Sequence, residues 1–456
     1  MTLRSHKFLL LPAALTLVGA TARGQESFSP PLPDQGRFVS FEAASVFSPD
    51  TSKVFIDIHY RVNGAFFIFV RNSANLAKNE FIGRGEIYFE LQSDQQASVA
   101  REVREIQISR STLPQQGEPL TDEQGAVRLT VGEGTYHLFV EAKDLESGRT
   151  FSDHSTQVNA ERPAQKRLNL STAILYASSS FDSVSHEPIY HTVNRGGAAV
   201  LGSSGGYIYQ CYVPEDTAGL KCRWKITNEN PEERHDDTSA FRGDDFTVEN
   251  GILNLVKGED GVSYRITHSP NEAMKILTVN LPLRRLETGR YSVDIDVTSG
   301  GTPATRHESL MVIWPNKPFS LSNFQLAVDA LRYIATADET DEMNSFSGAR
   351  SQAAFDRFWK ARNPDTTTAF NAVMAEYYRR VDESIRRFSS PTEATGYKTD
   401  RGRIFILFGQ PTSIQRVFHP DEPASEVWIY QGLKRKFVFT DTNKSGTYFL
   451  TSSENL

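Results

Sequence analysis

The sequence predicts a multidomain chain: two all-β immunoglobulin-like sandwiches followed by an α+β C-terminal domain. Three observations predict it. Over residues 36–158 the apolar period is mostly two; a Gly-x-Tyr strand entry in that region returns at residues 288–291; and beyond Ser322 apolar residues fall at helical spacing before short strand-like runs resume. The boundaries fall at residues 1–24 for a signal peptide, 25–160 for the first sandwich, 166–313 for the second and 314–456 for the α+β domain.

The N-terminus carries Arg4 and Lys7, an apolar run over residues 8–20, and Ala20-Thr21-Ala22 as a small-x-small cleavage site. That is the layout of a secretory signal peptide. The run is short against the roughly 20 apolar residues that span a bilayer, and Pro12 interrupts it, so cleavage and release are expected. No later stretch reads as a transmembrane helix in the mature chain. The expected location is therefore periplasmic or extracellular. With 39% hydrophobic residues the chain can bury ordinary cores, at roughly 100–200 residues per domain. The formal charge is -7, and from Ser322 onward 17 basic residues meet 17 acidic ones, so the acidic excess lies upstream. Neither part has the basic footprint of a nucleic-acid binder, and no nucleic acid is expected as partner.

In the first sandwich, Ile56, Ile58, Tyr60 and Val62 alternate with Asp57, His59 and Arg61, which predicts a half-buried strand. Residues 66–70, 85–91, 103–109 and 126–131 read as further strands between clusters of Asn, Gly, Pro and Ser. Residues 131–142 then align with residues 286–297, each with Gly-x-Tyr entering an alternating strand, at Tyr136 and Tyr291. In immunoglobulin-like sandwiches a tyrosine at this place hydrogen-bonds back across a corner, so two sandwiches of one general type are expected. Residues 161–167 read as a linker.

Cys211 and Cys222 flank a Pro-Glu-Asp-Thr-Ala-Gly loop in the second sandwich. Tyr207, Tyr209 and Cys211 share one strand face, and Cys222, Trp224 and Ile226 share one face of the next strand, which predicts a disulfide across a hairpin. Chain entropy would give such a staple roughly 3 kcal/mol. The loop over residues 228–245 holds Arg242-Gly243-Asp244, a tripeptide too short to argue adhesion, and His235-Asp236-Asp237, which lack calcium-loop spacing. No metal is assigned there.

Pro315 and Pro318 end the β region. Ser322 with Gln325 forms a capping-box pair before a helix bearing Phe324, Ala327, Val328, Leu331 and Ile334. Phe355, Phe358 and Trp359 mark a second helix, and a long amphipathic helix runs from about Thr368 to Phe388. Its polar side sets Glu376, Asp382 and Glu383 four residues before Arg380, Arg386 and Arg387. Residues 404–408, 427–430, 437–439 and 447–450 read as short strands, and helices followed by strands give an α+β domain.

Between helices and sheet lies the stretch Gly396, Tyr397, Lys398, Thr399, Asp400, Arg401, Gly402, Arg403. Gly396 and Gly402 permit backbone angles closed to other residues, and Thr399 and Asp400 can hold a turn through local amides. Tyr397 is expected to plug the space between helix and sheet. With Phe358-Trp359, Arg362, Pro364, Asn371, residues 376–381, Gly409, Pro411, Trp428 and Tyr430, this stretch resembles the GWxTD domain family. Tyr397 stands where that family has tryptophan, and Asn363 where it has aspartate before Pro364. The resemblance implies no settled activity.

Metalloprotease, phosphate-loop and Cys-x-x-Cys motifs are absent from the sequence, and no catalytic residue or cofactor is assigned. The chain reads as an exported, non-catalytic envelope or extracellular protein, binding or structural, with an envelope protein or surface polymer as partner. Two other classes stay open. One is a hydrolase of an envelope polymer with the carboxylates around Asp400 and Glu376 in its cleft. The other is a carbohydrate-binding module, for which Phe66, Phe67 and Phe69 would have to stand in a row on an exposed sandwich face.

Overall fold

The computed structural model describes residues 38–73, 80–114, 120–164, 167–214, 219–229, 240–258, 261–269, 271–345, 348–389, 395–418 and 422–456. The signal-peptide stretch and His235-Asp236-Asp237 lie outside the described residues.

The chain opens with β1 (Val39–Phe47), β2 (Val54–Val62), β3 (Val70–Arg71), β4 (Phe81–Ser93), β5 (Ser98–Arg110), β6 (Glu123–Val131), β7 (Gly134–Asp144) and β8 (Thr150–Ala160). One sheet has the order β1-β2-β6; the facing sheet has β3-β4-β7-β8 with β5 also on β4. The two close on a core that takes Ile56, Ile58, Tyr60 and Val62 from β2, Ile87, Phe89 and Leu91 from β4, and Leu138 and Val140 from β7. Residues 66–70 are not one strand. Asn63 accepts the Ala65 amide and starts a 3-10 turn over Gly64–Phe66, and Phe66 and Phe67, 1% and 4% exposed, drop into this core with Phe69 packed against it. The exposed aromatic row that a sugar-binding face would need is therefore not formed by these three.

Next come β9 (Asn169–Leu170), β10 (Ile174–Phe181), β11 (Pro188–Thr192), β12 (Ala198–Val200), β13 (Gly206–Tyr212), β14 (Lys221–Asn228), β15 (Ala240–Gly243), β16 (Phe246–Asn250), β17 (Ile252–Gly258), β18 (Gly261–Thr267), β19 (Met274–Asn280), β20 (Gly289–Ser299) and β21 (Thr302–Ile313). They form an eight-stranded sheet, β16-β19-β13-β10-β11-β18-β17 with β9 on β13, and a five-stranded sheet, β12-β21-β20-β14-β15. Tyr207, Tyr209, Leu277 and Val279 from the first meet Trp224, Ile226, Tyr291, Val293 and Ile295 from the second.

The two sandwiches are stacked on one another. Ala44 and Val46 of β1 pack against Ile174, Tyr190, Ile208, Leu253, Tyr264 and Ile266 of the eight-stranded sheet, which makes a four-layer pile of sheets. Hence β2 is not half-buried: Asp57 and His59, on its polar side, are 0% and 1% exposed. The Ser45 amide donates to Thr172 Oγ1 at 3.2 Å, the Thr172 amide to the Ser45 carbonyl at 3.0 Å, and Asn194 Nδ2 to the Tyr60 carbonyl at 3.0 Å. These bonds cross the junction.

The C-terminal part contains α1 (Phe324–Ala330), α2 (Ala337–Ser345), α3 (Ala349–Lys360), α4 (Ala372–Phe388) and α5 (Asp400–Phe408), then β22 (Ser413–Val417), β23 (Ser425–Tyr430), β24 (Arg435–Thr440) and β25 (Phe449–Asn455) in one antiparallel sheet in that order. Asn323, one residue past the expected Ser322, caps α1 by accepting the Leu326 amide at 3.0 Å. Asn371 caps α4 through the Met374 amide and donates to the Trp359 carbonyl, tying α4 to α3. Asp382 accepts the Phe319 and Ser320 amides.

Residues 404–408 form the second half of α5, not a strand. Thr399 caps its start by accepting the Gly402 amide at 3.0 Å, and Gly409, at φ 76°, ends it in a left-handed conformation. The misreading has a physical cause: α5 lies between two cores. Ile406 packs with Tyr378 and Tyr397 among the helices, while Ile404 and Phe405 pack with Trp428, Phe437 and Phe439 of the sheet. A helix apolar on both sides loses its 3.6-residue signature.

Candidate functional site

The signature residues converge where α4, α5 and the terminal sheet meet. A Cβ on Gly402 would collide with the Gly396 carbonyl, and one on Gly396 with the Ser384 carbonyl of α4 and the Ser389 amide, so both glycines serve close backbone approach. Thr399 Oγ1 donates to the Gly396 carbonyl at 2.8 Å while it caps α5. Tyr397 is buried; its hydroxyl donates to Asp329 of α1 and its carbonyl accepts from Tyr333. Burial works against the Asp329 carboxylate, but Lys398, Tyr397 and Arg332 together bring it down to about 2.

Asp400 joins helix to sheet. Its Oδ1 receives Arg403 at 3.2 Å and its Oδ2 the Leu450 amide of β25 at 2.8 Å. Arg401 reaches Glu426 of β23 at 3.5 Å and lies over the Tyr448 ring at 4.2 Å. Glu376 does not turn toward Asp400. It pairs with Arg379 and Arg380 at 2.7 Å each, and the Arg379 bond above all holds its pKa down to about 2. Arg380 in turn donates to the Ile406 and Leu407 carbonyls at the end of α5. Tyr430 closes the same end through the Gly409 carbonyl at 2.8 Å.

The cysteine pair does not form the expected staple. Cys211 lies on β13 of the eight-stranded sheet and Cys222 on β14 of the five-stranded one, and both are free thiols. The chain crosses the sandwich between them instead of turning back as a hairpin: Cys222 pairs with Val297 of β20, and Cys211 with Lys275 of β19. Burial raises both thiols, Cys222 to about 12 and Cys211 further still, so neither is a ready nucleophile. Gly243, within the Arg-Gly-Asp tripeptide, packs its backbone against the Trp224 ring.

A second polar region was not read from the sequence. It lies at the junction of the sandwiches and has two parts. In the first, His59 Nδ1 sits 2.9 Å from Glu42 and Nε2 2.8 Å from the Tyr264 hydroxyl; that hydroxyl donates to Asp57 at 2.8 Å, and Arg128 binds Asp57 with two bonds of 2.6 and 2.7 Å. The second is a cleft of about 540 Å³, bounded by β1 and β8 of the first sandwich and by β9, β10 and β21 of the second. Tyr291, Val293, Ile295 and Val297 of β20 point into the core, and their partners on β21 are Leu310, Glu308, Arg306 and Ala304. Two charged residues thus occupy the inward phase of β21. Tyr209 donates to Glu308 at 3.4 Å, and burial raises the Glu308 carboxyl to about 7. Arg306 donates to the Leu170 carbonyl and lies 3.9 Å from Glu161. The signal was present: an Ala304, Arg306, Glu308, Leu310, Val312 alternation, legible once its pairing with β20 is known.

The fold and these sites define a mostly β, multidomain protein with several antiparallel sheets and a small helical region near its C-terminus. Residues 297–455 match the GWxTD domain family, so this part of the chain is a GWxTD domain; the match starts inside β20 and takes in the last strand of the second sandwich. No curated protein matches the chain. Among solved structures, the C-terminal domain of the Streptococcus pyogenes antigen I/II-family protein AspA is similar at 9% identity over 60% of this chain and 100% of that one, with a TM-score of 0.16. Among the described residues no helix is long and apolar enough to cross a membrane.

Proposed function

We propose that the protein is an exported, non-catalytic binding scaffold, periplasmic or extracellular, in which two stacked sandwiches carry a GWxTD domain toward an envelope protein or a surface polymer. One observation carries this reading: the polar groups of the signature are engaged in fastening elements together. Asp400 holds the Leu450 amide and Arg403, and Thr399 caps α5. Glu376, ionised down to about pH 2, suits neither a general acid nor a partner for Asp400. In this reading Gly396, Tyr397, Thr399, Asp400, Arg401 and Arg403 are a joint. The immunoglobulin-like character of both sandwiches is part of the proposal, supported by the Tyr136 hydroxyl on the Gly132 carbonyl and the Tyr291 hydroxyl on the Glu287 carbonyl, each reaching back four residues. Units ending near residues 160 and 313 are supported by the last residues of β8 and β21. On the terminal sheet, Val417 of the edge strand β22 and the adjoining Phe418 are exposed, which suits contact with a partner.

The test is cross-linking capture from native envelopes with wild type and Asp400→Asn. The joint reading expects the variant to lose stability and, at a temperature where it remains folded, to capture the same partner in the same yield. A hydrolytic activity on isolated envelope polymer that vanishes in a folded Asp400→Asn protein would replace it with the enzyme reading.

A further inference from the structure

We infer that the cleft between the sandwiches is a binding site for a neutral saccharide of one or two rings. This extends the binding role proposed above to the sandwiches, but it stands on the cleft alone and not on the role of the signature.

Arg306 and Glu308 sit where β21 should supply apolar core, between Ala304 and Leu310. A charge at such a phase is costly unless it is partnered or kept wet. Here the layers part, leaving about 540 Å³, within the range of roughly 300–1,000 Å³ common to small-molecule sites.

The lining then selects the ligand class. Beside the two charged residues, the walls present Gln157 and Asn159 from β8, Thr172 before β10, and Ser309 from β21, while the Ser171 hydroxyl is taken up by the Thr172 carbonyl and the Gln210 amide. Hydroxyls and amides both donate and accept, as every hydroxyl of a sugar does. An anion is poorly served: the Arg306 guanidinium already holds the Leu170 carbonyl, and Glu42, Glu161 and Glu308 border the same space. A cation meets Arg306. Phe47 and Tyr207 supply a limited apolar wall against which a ring's C–H face can lie. The walls come from both sandwiches, and the Ser45–Thr172 bonds fix their separation, so the site is formed before the ligand arrives.

The experiment is a glycan array of neutral and acidic glycans probed with the whole secreted chain, followed by saturation-transfer NMR on any ligand found. Binding of a neutral glycan, weakened tenfold or more in both Arg306→Ala and Gln157→Ala with unchanged thermal midpoints, is the expected result. Should Arg306→Ala not fold, Gln157→Ala, at an exposed position on β8, decides alone. Binding of no glycan, binding only of acidic glycans, or binding indifferent to the substitutions would overturn the assignment.

Discussion

Two regions of the junction place charged residues at inward-facing strand positions, and the chain resolves them in opposite ways. On β2, Asp57 and His59 face the second sandwich and are sealed in a chain of direct bonds from Glu42 through His59, Tyr264 and Asp57 to Arg128, whose guanidinium also lies 4.4 Å from the centre of the Phe55 ring. On β21, Arg306 and Glu308 have fewer protein partners, and the layers stay apart around them. Buried charge demands either a complete set of partners or a cavity. Complete pairing locks two domains together; incomplete pairing leaves room for a ligand.

The sealed side depends most on Asp57. Asp57→Ala leaves the half-buried Arg128 without its partner and should cost about 3 kcal/mol, seen as a lower urea midpoint by circular dichroism. Replacing both residues, as Asp57→Leu with Arg128→Met, should recover most of that loss. If the single change costs nothing, the sealed network is not what holds the junction. Gly402→Ala, far from the junction, is the control for a purely steric fault. Its methyl meets the Gly396 carbonyl, and a loss of about 1–3 kcal/mol confined to the C-terminal domain is expected, measured by hydrogen exchange in α5 against β2. Tyr264→Phe removes one hydroxyl from the middle of the network and leaves His59 Nε2 without it; about 1–2 kcal/mol is expected from chemical denaturation.

The effect on the open side depends on pH. Burial raises the Glu308 carboxyl from 4.5 to about 7, with Arg306 and His307 from its own strand opposing the shift and Tyr209 of β13 donating to it. Glu42 of β1 and Glu161 face the same cleft. The folded chain therefore keeps a proton that the unfolded chain has lost, and this contribution is complete below about pH 4.5 and disappears as pH rises through 7. Glu308→Gln should match wild type near pH 4 and exceed it at pH 8 by up to about 3 kcal/mol. A constant difference across that range, read from thermal midpoints, would mean that Glu308 does not titrate in the cleft.

Local chemistry made much of the chain legible. Alternation gave the antiparallel β content, and the step from period two to helical spacing near Ser322 gave the helical region. The ordered matches around Gly396, Thr399 and Asp400 gave the GWxTD domain. What was missed shares one cause, the identity of the neighbour. The polar side of β2 carries the mark of a solvent face because a second sandwich covering it adds no residue to that strand. Residues 404–408 look like a strand because cores on both sides of α5 erase the helical period. Cys211 and Cys222 look like hairpin partners because no local signal tells a turn from a crossing between sheets.

Most extended and helical segments, the point where the β region gives way to helices, and the family that the C-terminal part matches are legible along the chain, since each depends on residues close together in it. That the sandwiches stack, that the two cysteines lie on different sheets, and that Arg306 and Glu308 border a cleft came only with the tertiary structure. Those outcomes depend on which faces meet, and burial is a property of the pair of surfaces rather than of either strand.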